Sequence, residues 1–269
     1  MAGGKRVALV TGASAGIGRA CAERLAAAGW VVVGASRRGT AAQGWPSLVM
    51  DVDDDTSVCD GVAGLIQAHG RVDALVVAAG WGLAGAVEHT TVGEAKSQLE
   101  TNFWGAVRTV QAVMPIMRRQ GAGRIVLMSS IGGLIGIPFQ AFYSASKFAL
   151  EGMAEAMAYE VEPFGIFLTL VEPGNFATDF TASRRMAAAA DADGTYREAL
   201  RKAVAVMEHD EANGAAPAQV AATVQKVLES GHPPRRVSAG KAGERIGLLA
   251  KRILPFRVFQ AAAKRSLGV

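Results

Sequence analysis

The chain has 269 residues, of which half are hydrophobic and 32 are glycine, and its net charge is +4. A chain of this length and apolar content can bury a large core, so we expect one α/β domain spanning residues 1–269. The basic residues are scattered apart from a modest cluster near the C-terminus, which is not the pattern of a nucleic-acid-binding protein. Two isolated cysteines, Cys21 and Cys59, indicate neither a disulfide framework nor a thiolate metal site.

Neither a targeting segment nor a membrane span is predicted. Residues 1–6 are too few for a signal peptide, and no apolar run approaches the roughly 18 residues that a membrane span needs. We therefore expect a cytoplasmic protein in a reducing compartment, without a bound metal and without a membrane span.

Short apolar runs alternate with longer helical stretches along the chain. Strands are predicted at 5–11, 30–36, 47–52, 73–79, 123–130, 165–173 and 235–240. Most of these runs are almost continuously hydrophobic, which is typical of parallel strands buried on both faces. Helices are predicted to begin near Ile17, Asp55, Val92, Ala141 and Ala216. The alternation predicts an α/β fold, a Rossmann-like, doubly wound parallel sheet of about seven strands flanked by helices.

Two segments interrupt or follow this alternation. Residues 175–213 are rich in Ala, Asp and Arg and carry no strand signal, and an insertion after the carboxyl end of a strand usually forms a lid or binding segment. We expect it to cover a substrate. The C-terminal extension at 240–269 mixes basic and bulky apolar residues, which suits a membrane surface or a partner subunit. Pro255 breaks any long helix there, which favours a packed tail.

The first predicted strand runs directly into "TGASAGIGRA". Gly12, Gly16 and Gly18 lie where a strand turns into a helix. Glycines at such a turn let the backbone approach a pyrophosphate, whose charge meets the free N–H groups of the helix N-terminus. The position of the turn, at the start of a doubly wound pattern, makes this interpretation much stronger than the glycines alone.

The same letters match a second motif. "GASAG" fits the nucleophile elbow of serine hydrolases, with Ser14 as nucleophile and Asp210 and His232 as acid and base. An elbow should follow an earlier loop that supplies an oxyanion-hole N–H, yet only one strand precedes Ser14. Ser14 is therefore interpreted as a hydroxyl of a phosphate-binding loop.

The stretch "YSASK" places Tyr143 and Lys147 four residues apart. In a helix these positions share a face, so both polar groups can reach the same small molecule. Taken alone, such a pair more often belongs to a solvated face. The rest of the chain must decide between the two interpretations.

Several motifs occur together at fixed separations: "TGASAGIG" at 11–18, "AAG" at 78–80, Asn102, Ser130, "YSASK" at 143–147 and "EPGNFATDF" at 172–180. Ser130 precedes Tyr143 by thirteen residues. Over nearly its whole length the chain resembles the short-chain dehydrogenase/reductase family, and residues 123–152 are most similar to its 17β-hydroxysteroid and retinol dehydrogenase-like members. One departure is the run at 77–80, Val-Ala-Ala-Gly, where the family usually has Asn-Asn-Ala-Gly. The stabilisation that those amides give must then come from elsewhere.

The resemblance implies a catalytic tetrad for hydride transfer between a nicotinamide and a carbonyl carbon. Tyr143 would be the general acid and base, and Lys147 would lower its pKa by on the order of two or three units and hold the nicotinamide ribose. Ser130 would donate to the substrate oxygen, and Asn102 would anchor a water on a proton path. Singly, Ser130 suits a turn cap and Asn102 an amide bonded to backbone. The four separations together favour catalysis.

Cofactor choice is expected at the end of the second strand. An NAD site would place an acid there for the ribose hydroxyl, whereas this chain has Ser36, Arg37 and Arg38, which favour the 2′-phosphate of NADP(H) over a merely solvated turn. Asp51 and Val52 match the family's adenine contacts. The predicted cofactor-binding residues are Gly12, Ser14, Gly16, Ile17, Gly18, Ser36, Arg37, Arg38, Asp51, Val52, Ala79, Gly80, Tyr143, Lys147, Pro173, Gly174, Phe176 and Thr178.

The substrate side lacks charge between the serine and the tyrosine, which suggests a lipophilic ketone or secondary alcohol such as a steroid, retinoid or polyketide. The predicted substrate contacts are Trp81, Leu83, Ser130, Ile131, Ile137, Phe139 and Phe180, with Ile135, Phe176 and Met186 as further candidates. Each apolar member could equally be an ordinary core residue. The resemblance also implies a homodimer or homotetramer formed through helices at 92–119 and 141–163. A non-catalytic NADP-binding sensor or scaffold is the alternative, although such proteins usually lose the tyrosine or the lysine.

Overall fold

A seven-stranded parallel sheet forms the centre of the protein, in a computed structural model that describes residues 5–39, 44–191 and 194–266. The strands in these ranges are β1 (Val7–Thr11), β2 (Val31–Ser36), β3 (Ser47–Val49), β4 (Ala74–Val77), β5 (Leu83–Ala84), β6 (Gly123–Met128), β7 (Ile166–Pro173), β8 (Arg185–Met186) and β9 (Arg236–Ala239). The order across the sheet is β3-β2-β1-β4-β6-β7-β9, with every neighbouring pair parallel. The predicted α/β fold with seven parallel strands is confirmed, each strand lying inside its predicted range.

The helices alternate with these strands. They are α1 (Gly16–Ala27), α2 (Asp55–His69), α3 (Val92–Leu99), α4 (Gly105–Gln120), α5 (Ala141–Val161), α6 (Phe180–Ser183), α7 (Arg197–Ala212), α8 (Pro217–Glu229), α9 (Ala242–Ile253) and α10 (Phe256–Ser266). A π-helical turn, Glu100–Trp104, joins α3 to α4, and 3-10 turns lie at Ile131–Gly133 and Glu162–Phe164. All five predicted helix starts fall within one residue of the observed ones. Capping explains part of this agreement, since the Asp54 carboxylate accepts from the Ser57 N–H at the start of α2.

Both faces of the sheet are covered by helices. In β1, Val7 and Leu9 pack into one apolar cluster with α2, α4 and α5, while Ala8 and Val10 pack into another with α1 and α8. Successive side chains of a strand point to opposite faces, so a strand covered on both sides needs apolar residues at every position. This is why the strands are continuous apolar runs in the sequence. Both cysteines are free, Cys21 being buried under α1 and Cys59 exposed on α2.

A buried threonine connects β1 to β4 where the family's asparagine amides are missing. The Thr11 hydroxyl oxygen accepts from the Ala78 N–H at 3.1 Å and from the Ala79 N–H at 3.3 Å. Thr11 is fully buried, so these bonds form away from competing water. They supply a stabilisation between the two strands that the sequence left unexplained.

The insertion at 175–213 is structured, although its residues 192–193 lie outside the described residues. It contains α6, β8 and the whole of α7, and β8 pairs with β5 through Leu83 with Arg185 and Ala84 with Met186. The prediction that it carries no strand was therefore wrong. Two-residue strands are too short to leave an alternating pattern in the sequence.

The C-terminal extension forms α9 and α10 up to residue 266, and residues 267–269 lie outside the described residues. The predicted break at Pro255 is confirmed, since α9 ends at Ile253 and α10 begins at Phe256. The expectation that the tail is packed was wrong for its large apolar residues, since Ile246, Leu249 and Phe256 are exposed. Within the described ranges, no helix has the length and apolar content to cross a membrane.

The turn between β1 and α1 is packed too closely to admit side chains. Gly12 has a φ of +68°, and a Cβ built there would lie 2.8 Å from the Ala79 backbone nitrogen. A Cβ at Gly18 would lie 2.4 Å from the Gly12 carbonyl oxygen. The first turn of α1 therefore rests directly on the loop that precedes it.

We expect Gly18→Ala to lower the free energy of unfolding by about 1 to 3 kcal/mol, because the turn must move to admit the methyl group. Urea unfolding followed by circular dichroism measures the change. Gly64→Ala, on the exposed face of α2, is the matched control. No atom lies within 4 Å of the methyl group added there, so it should be neutral or stabilising by about 0.5 to 1 kcal/mol. Equal effects of the two substitutions would contradict the close contact at Gly18.

Candidate active site

A cleft of about 550 Å³ lies at the carboxyl ends of the central strands. This is the edge at which doubly wound sheets bind ligands, because the loops that leave successive strands diverge there. The cleft is lined by all eighteen residues predicted to bind the cofactor and by all four members of the predicted tetrad. The fold thus brings together residues that are up to 166 positions apart, from Gly12 to Thr178.

The glycine-rich turn forms one wall of the cleft and fits a dinucleotide. Gly12 and Gly16 both have positive φ, +68° and +53°, which other L-residues rarely adopt. The chain can therefore turn tightly enough to present the N-terminus of α1 to the cleft, where an anionic pyrophosphate would be favoured. Gly80 lines the cleft next to this turn, and a Cβ built there would lie 3.1 Å from Asn102 Oδ1 and 3.9 Å from Lys147 Nζ. These glycines keep open a space that side chains would fill.

The end of β2 offers a buried hydroxyl and two exposed guanidinium groups. Ser36 Oγ is buried and has no hydrogen-bond partner among the described residues, and Arg37 and Arg38 follow it at the edge of the cleft. Asp53 lies close to them and was missed in the sequence. Burial raises the pKa of Asp53, while a 2.9 Å hydrogen bond from Thr101 and the charge of Arg37 act in the opposite direction.

Tyr143 and Ser130 face each other across the cleft. Ser130 Oγ accepts from the Gly132 N–H at 3.0 Å, so it does cap a turn, and its hydroxyl also acts on the pKa of the Tyr143 phenol. Burial raises the pKa of Tyr143 above its ordinary range, and the Ser130 bond only partly offsets this. The net direction is opposite to the lowering that the sequence predicted from Lys147, whose Nζ lies 6.0 Å from the centre of the Tyr143 ring.

Lys147 is buried at the base of the cleft. Its Nζ donates to the Met128 carbonyl at 2.8 Å, and burial lowers its pKa to about 8 against the opposing effect of the Glu151 carboxylate. One turn further along α5, Glu151 Oε2 lies 2.7 Å from Arg236 Nη1, which also lies 3.2 Å from Glu172 Oε1. These ion pairs link α5, which carries Tyr143 and Lys147, to β7 and β9.

Asn102 shapes the loop after β4. The π-helical turn carries it, and its Oδ1 accepts from the Trp81 N–H while its Nδ2 donates to the Trp81 carbonyl, each at 3.0 Å. Nδ2 also donates to Ser146 Oγ at 3.2 Å, so both amide hydrogens are used within the protein. The side chain thus fixes the backbone beside Gly80 and leaves no amide hydrogen for the expected water.

The insertion closes the substrate side with residues that the sequence analysis missed. The cleft lining there includes Gln140, Asp179, Ala182, Ser183, Arg185, Met207 and Glu211. The Arg185 guanidinium lies 4.3 Å above the Trp81 ring, and Arg184 forms a buried ion pair with Glu211. The Phe180 ring lies 5.7 Å from the ring of Tyr143. No motif marks these residues: Gln140 precedes α5, and the other six are brought to the cleft by the folding of the insertion, with Met207 and Glu211 on α7.

Two predicted substrate contacts do not line the cleft. Leu83 is buried in β5, where its N–H donates to Gln98 Oε1 at 2.6 Å. Phe139 has a φ of +59° and packs instead against the small apolar cluster of the insertion, with its ring 6.4 Å from that of Tyr196. The further candidates Ile135 and Met186 also lie outside the lining, whereas Phe176 belongs to it.

The hydrolase alternative finds no support in the geometry. Ser14 lines the cleft in the glycine-rich turn, but Asp210 and His232 are exposed, and neither lines that cleft. A nucleophile needs its base within hydrogen-bond reach. The three residues therefore do not form a triad.

Known proteins agree with this geometry. The family model described as short chain dehydrogenase matches residues 6–189. The chain belongs to the short-chain dehydrogenase family. Among its relatives in this family, a 3-ketodihydrosphingosine reductase from Bacteroides thetaiotaomicron is 39% identical over 260 residues, covering 96% of this chain and 97% of the relative. Retinol dehydrogenase 8 from Bos taurus is 37% identical, covering 88% and 82%.

Solved short-chain dehydrogenases share the fold. The crystal structure of one from Streptomyces avermitilis has a TM-score of 0.82 and 32% identity, with 98% of this chain and 96% of the other covered. The resemblance to retinol dehydrogenase-like members is thereby supported by the sequence relatives, and the Rossmann-like sheet by the structural one.

The burial of the Lys147 ammonium predicts a pH-dependent stability. Its pKa is about 8 in the folded protein and near 10.5 in an unfolded chain, so between these values the unfolded state binds more protons. The folded state is thus penalised below about pH 8, and this penalty disappears as the pH rises toward 10.5. Lys147→Met removes the charge and with it the penalty. The difference in free energy of unfolding between the variant and the native protein should therefore shrink by about 2 to 3 kcal/mol as the pH rises across that window.

Urea unfolding of both proteins at several pH values measures this difference. Lys226→Met, on the exposed side of α8, controls for the general effect of removing one lysine. A difference for Lys147→Met that stays constant with pH would show that the buried ammonium carries no such penalty.

Proposed function

We propose that the protein is an NADP(H)-dependent oxidoreductase that interconverts a lipophilic ketone and a secondary alcohol. The observation that carries this proposal is the convergence of Tyr143, Ser130, Lys147 and Asn102 in one cleft with the glycine-rich turn. A binding protein without chemistry has no need of a buried phenol beside a hydroxyl and an ammonium. The sensor or scaffold alternative is therefore disfavoured.

The proposed chemistry assigns the proton to Tyr143. When bound, the nicotinamide supplies the hydride for the carbonyl carbon. Tyr143 gives its proton to the carbonyl oxygen as negative charge develops there, and Ser130 donates a hydrogen bond to the same oxygen. Since burial keeps the phenol protonated near neutral pH, Tyr143 is held in the form that a ketone reduction needs. The Lys147 ammonium, fixed on the Met128 carbonyl, favours the phenolate left after transfer and is available to the ribose.

The substrate class is inferred from the cleft and the relatives. Trp81, Ile131, Ile137 and Phe180 give the cleft an apolar lining next to Tyr143. The two relatives are named for a sphingoid ketone and for retinol, and both are lipids with long apolar chains. A lipophilic ketone of this kind would bury its chain against these residues, while its carbonyl oxygen reaches Ser130 and Tyr143.

The cofactor preference is inferred from the end of β2. Ser36, Arg37 and Arg38 present a hydroxyl and two guanidinium groups to a 2′-phosphate, and Ser36 Oγ is buried without another partner among the described residues. Arginine binds phosphate through two parallel hydrogen bonds, which favours NADP(H). Asp53 acts against this preference, but its carboxylate is already bonded to Thr101.

We also propose that the protein forms homo-oligomers through α4 and α5. Exposed aromatic residues lie along or next to these helices, at Trp104, Phe148, Tyr159 and Phe164. Large aromatic side chains in water favour association, because pairing removes their surface from solvent. Helices 92–119 and 141–163 are the ones that the family resemblance implies.

Tyr143→Phe should lower turnover by about 100-fold or more while cofactor binding stays nearly unchanged, because only the transferable proton is lost. The assay follows NADPH absorbance with lipophilic ketones, and quenching of protein fluorescence measures cofactor binding. Tyr159→Phe is the matched control, since Tyr159 is exposed near the other end of α5 and should leave turnover unchanged. Near-normal turnover of Tyr143→Phe would refute the assignment.

NADP(H) should be favoured over NAD(H) by on the order of 10- to 100-fold in apparent affinity, from one or two charge-assisted hydrogen bonds weakened by solvent screening. Because the 2′-phosphate is remote from the reacting atoms, the preference should appear in the cofactor KM rather than in kcat. Arg37→Asp should reverse it, whereas Lys226→Asp, which changes the net charge equally, should not. Steady-state kinetics with both cofactors at low ionic strength make the comparison. Equal cofactor KM values for NADP(H) and NAD(H) in the native protein would mean that the two arginines are solvated and do not bind the 2′-phosphate.

A further inference from the structure

An apolar stripe on the C-terminal helices faces solvent. In α9, Ile246, Leu249 and Ile253 are 66%, 56% and 70% exposed, and their spacing of three and four residues places them on one face. At the start of α10, Phe256 and Val258 are also exposed, at 67% and 52%, although their spacing of two residues places them on different sides of that helix. A surface helix of a globular protein normally turns such a stripe toward the core. Here it is turned outward.

The same segment concentrates positive charge. Residues 241–269 contain seven of the 28 basic residues and one of the 24 acidic residues, so the preceding 240 residues hold 21 basic and 23 acidic ones. The single acid, Glu244, is engaged in the fold, since it accepts from the N–H groups of Asn175 and Lys241. The positive charge of the chain therefore resides in its tail.

Three contacts fix α9 beside the cleft. Glu244 Oε1 accepts from the Asn175 N–H at 2.8 Å, and Asn175 lines the cleft. Lys241 Nζ donates to the Asn213 carbonyl at 2.6 Å, at the end of the insertion. Lys251 donates to the Leu134 carbonyl, in the loop between Ser130 and Tyr143. The tail is thus held against both segments that border the substrate side.

We propose that α9 and α10 form a docking surface for the face of an anionic lipid bilayer. Bulky apolar residues combined with basic residues suit the headgroup region, where the former enter the acyl boundary and the latter meet lipid phosphates. The helices have 12 and 11 residues, too few to span the bilayer, so they lie on it. The orientation turns the substrate side of the cleft toward the lipid.

A second copy of the chain is a poorer occupant of this face. A two-fold interface brings the same patch of each copy together, so the two strongly basic tails would repel each other. An anionic bilayer instead supplies the opposite charge and an apolar layer at once. The proposal does not depend on the reaction, and its test requires no turnover.

The test is co-sedimentation of the full chain with phosphatidylcholine vesicles, with and without phosphatidylglycerol. Binding should be at least about 10-fold stronger to the anionic vesicles and should weaken as salt is added. The double variant Leu249→Asp, Ile253→Asp should bind at least about 100-fold more weakly, since two apolar anchors are lost. The double variant Val49→Asp, Val87→Asp, at comparably exposed positions elsewhere, is the matched control and should bind like the native protein.

A charge variant separates the two contributions. Lys264→Gln with Arg265→Gln should weaken binding to anionic vesicles by about fivefold for each residue and leave binding to neutral vesicles unchanged. Circular dichroism and thermal unfolding verify that each variant is folded. Absence of binding to anionic vesicles, or equal binding of the Leu249 and Ile253 variant, would overturn the proposal. A third result would also overturn it: the native protein does not bind vesicles, and sedimentation velocity shows that the Leu249 and Ile253 variant has lost an oligomer that the native protein forms.

Discussion

The arrangement of the site depends on one buried charge, the ammonium of Lys147. Its bond to the Met128 carbonyl fixes the register of α5 against the end of β6. Ser130 follows Met128 by two residues and Tyr143 precedes Lys147 by one helical turn, so this single contact also sets the phenol opposite the hydroxyl. An ammonium removed from water is unfavourable unless it is compensated. The carbonyl and the nearby Glu151 carboxylate compensate only part of that cost, since the pKa of Lys147 is still lowered to about 8, and Arg236 in turn pairs with Glu151 and Glu172.

The same constraint explains why the catalytic candidates are rigid while the substrate side is assembled from added segments. α5 has 21 residues, of which ten, including Tyr143 and Lys147, are buried, and it is joined to β7 and β9 through the Arg236 cluster. The substrate side is instead built from a short pair of strands, β5 with β8, and from α7 folded over the cleft. The insertion has an internal ion pair, Arg184 with Glu211, and it is also tied to the rest of the chain, since the Ala188 N–H donates to Glu94 and the Tyr196 hydroxyl to Glu88. A rigid reaction centre beside a separately built cover lets substrate preference vary without disturbing the proton chemistry.

The distribution of charge over the molecule suits the proposed lipophilic substrate and an anionic cofactor. The cofactor side of the cleft presents the N-terminus of α1 and the arginines after β2, and the substrate side presents apolar rings. The basic tail with its outward apolar stripe lies next to the substrate side. An apolar compound that partitions into lipid is scarce in water. If the proposed docking surface holds the protein on a bilayer, the neighbouring cleft is exposed to a higher concentration of such a compound than in bulk water.

The sequence by itself determined the sheet and the glycine-rich turn, because both depend on local patterns, and its resemblance to the family indicated the four candidate catalytic residues. Continuous apolar runs specify strands covered on both faces, and "YSASK" and the glycines have fixed spacing along the chain. It did not reveal β8, the lining by Arg185 and Glu211, or the exclusion of Leu83 and Phe139, since these follow from how the insertion folds over the cleft. The direction of the Tyr143 pKa was also beyond it. Burial is a property of the assembled core, and only the tertiary structure decided that desolvation raises the pKa of Tyr143 despite the opposing effect of Ser130.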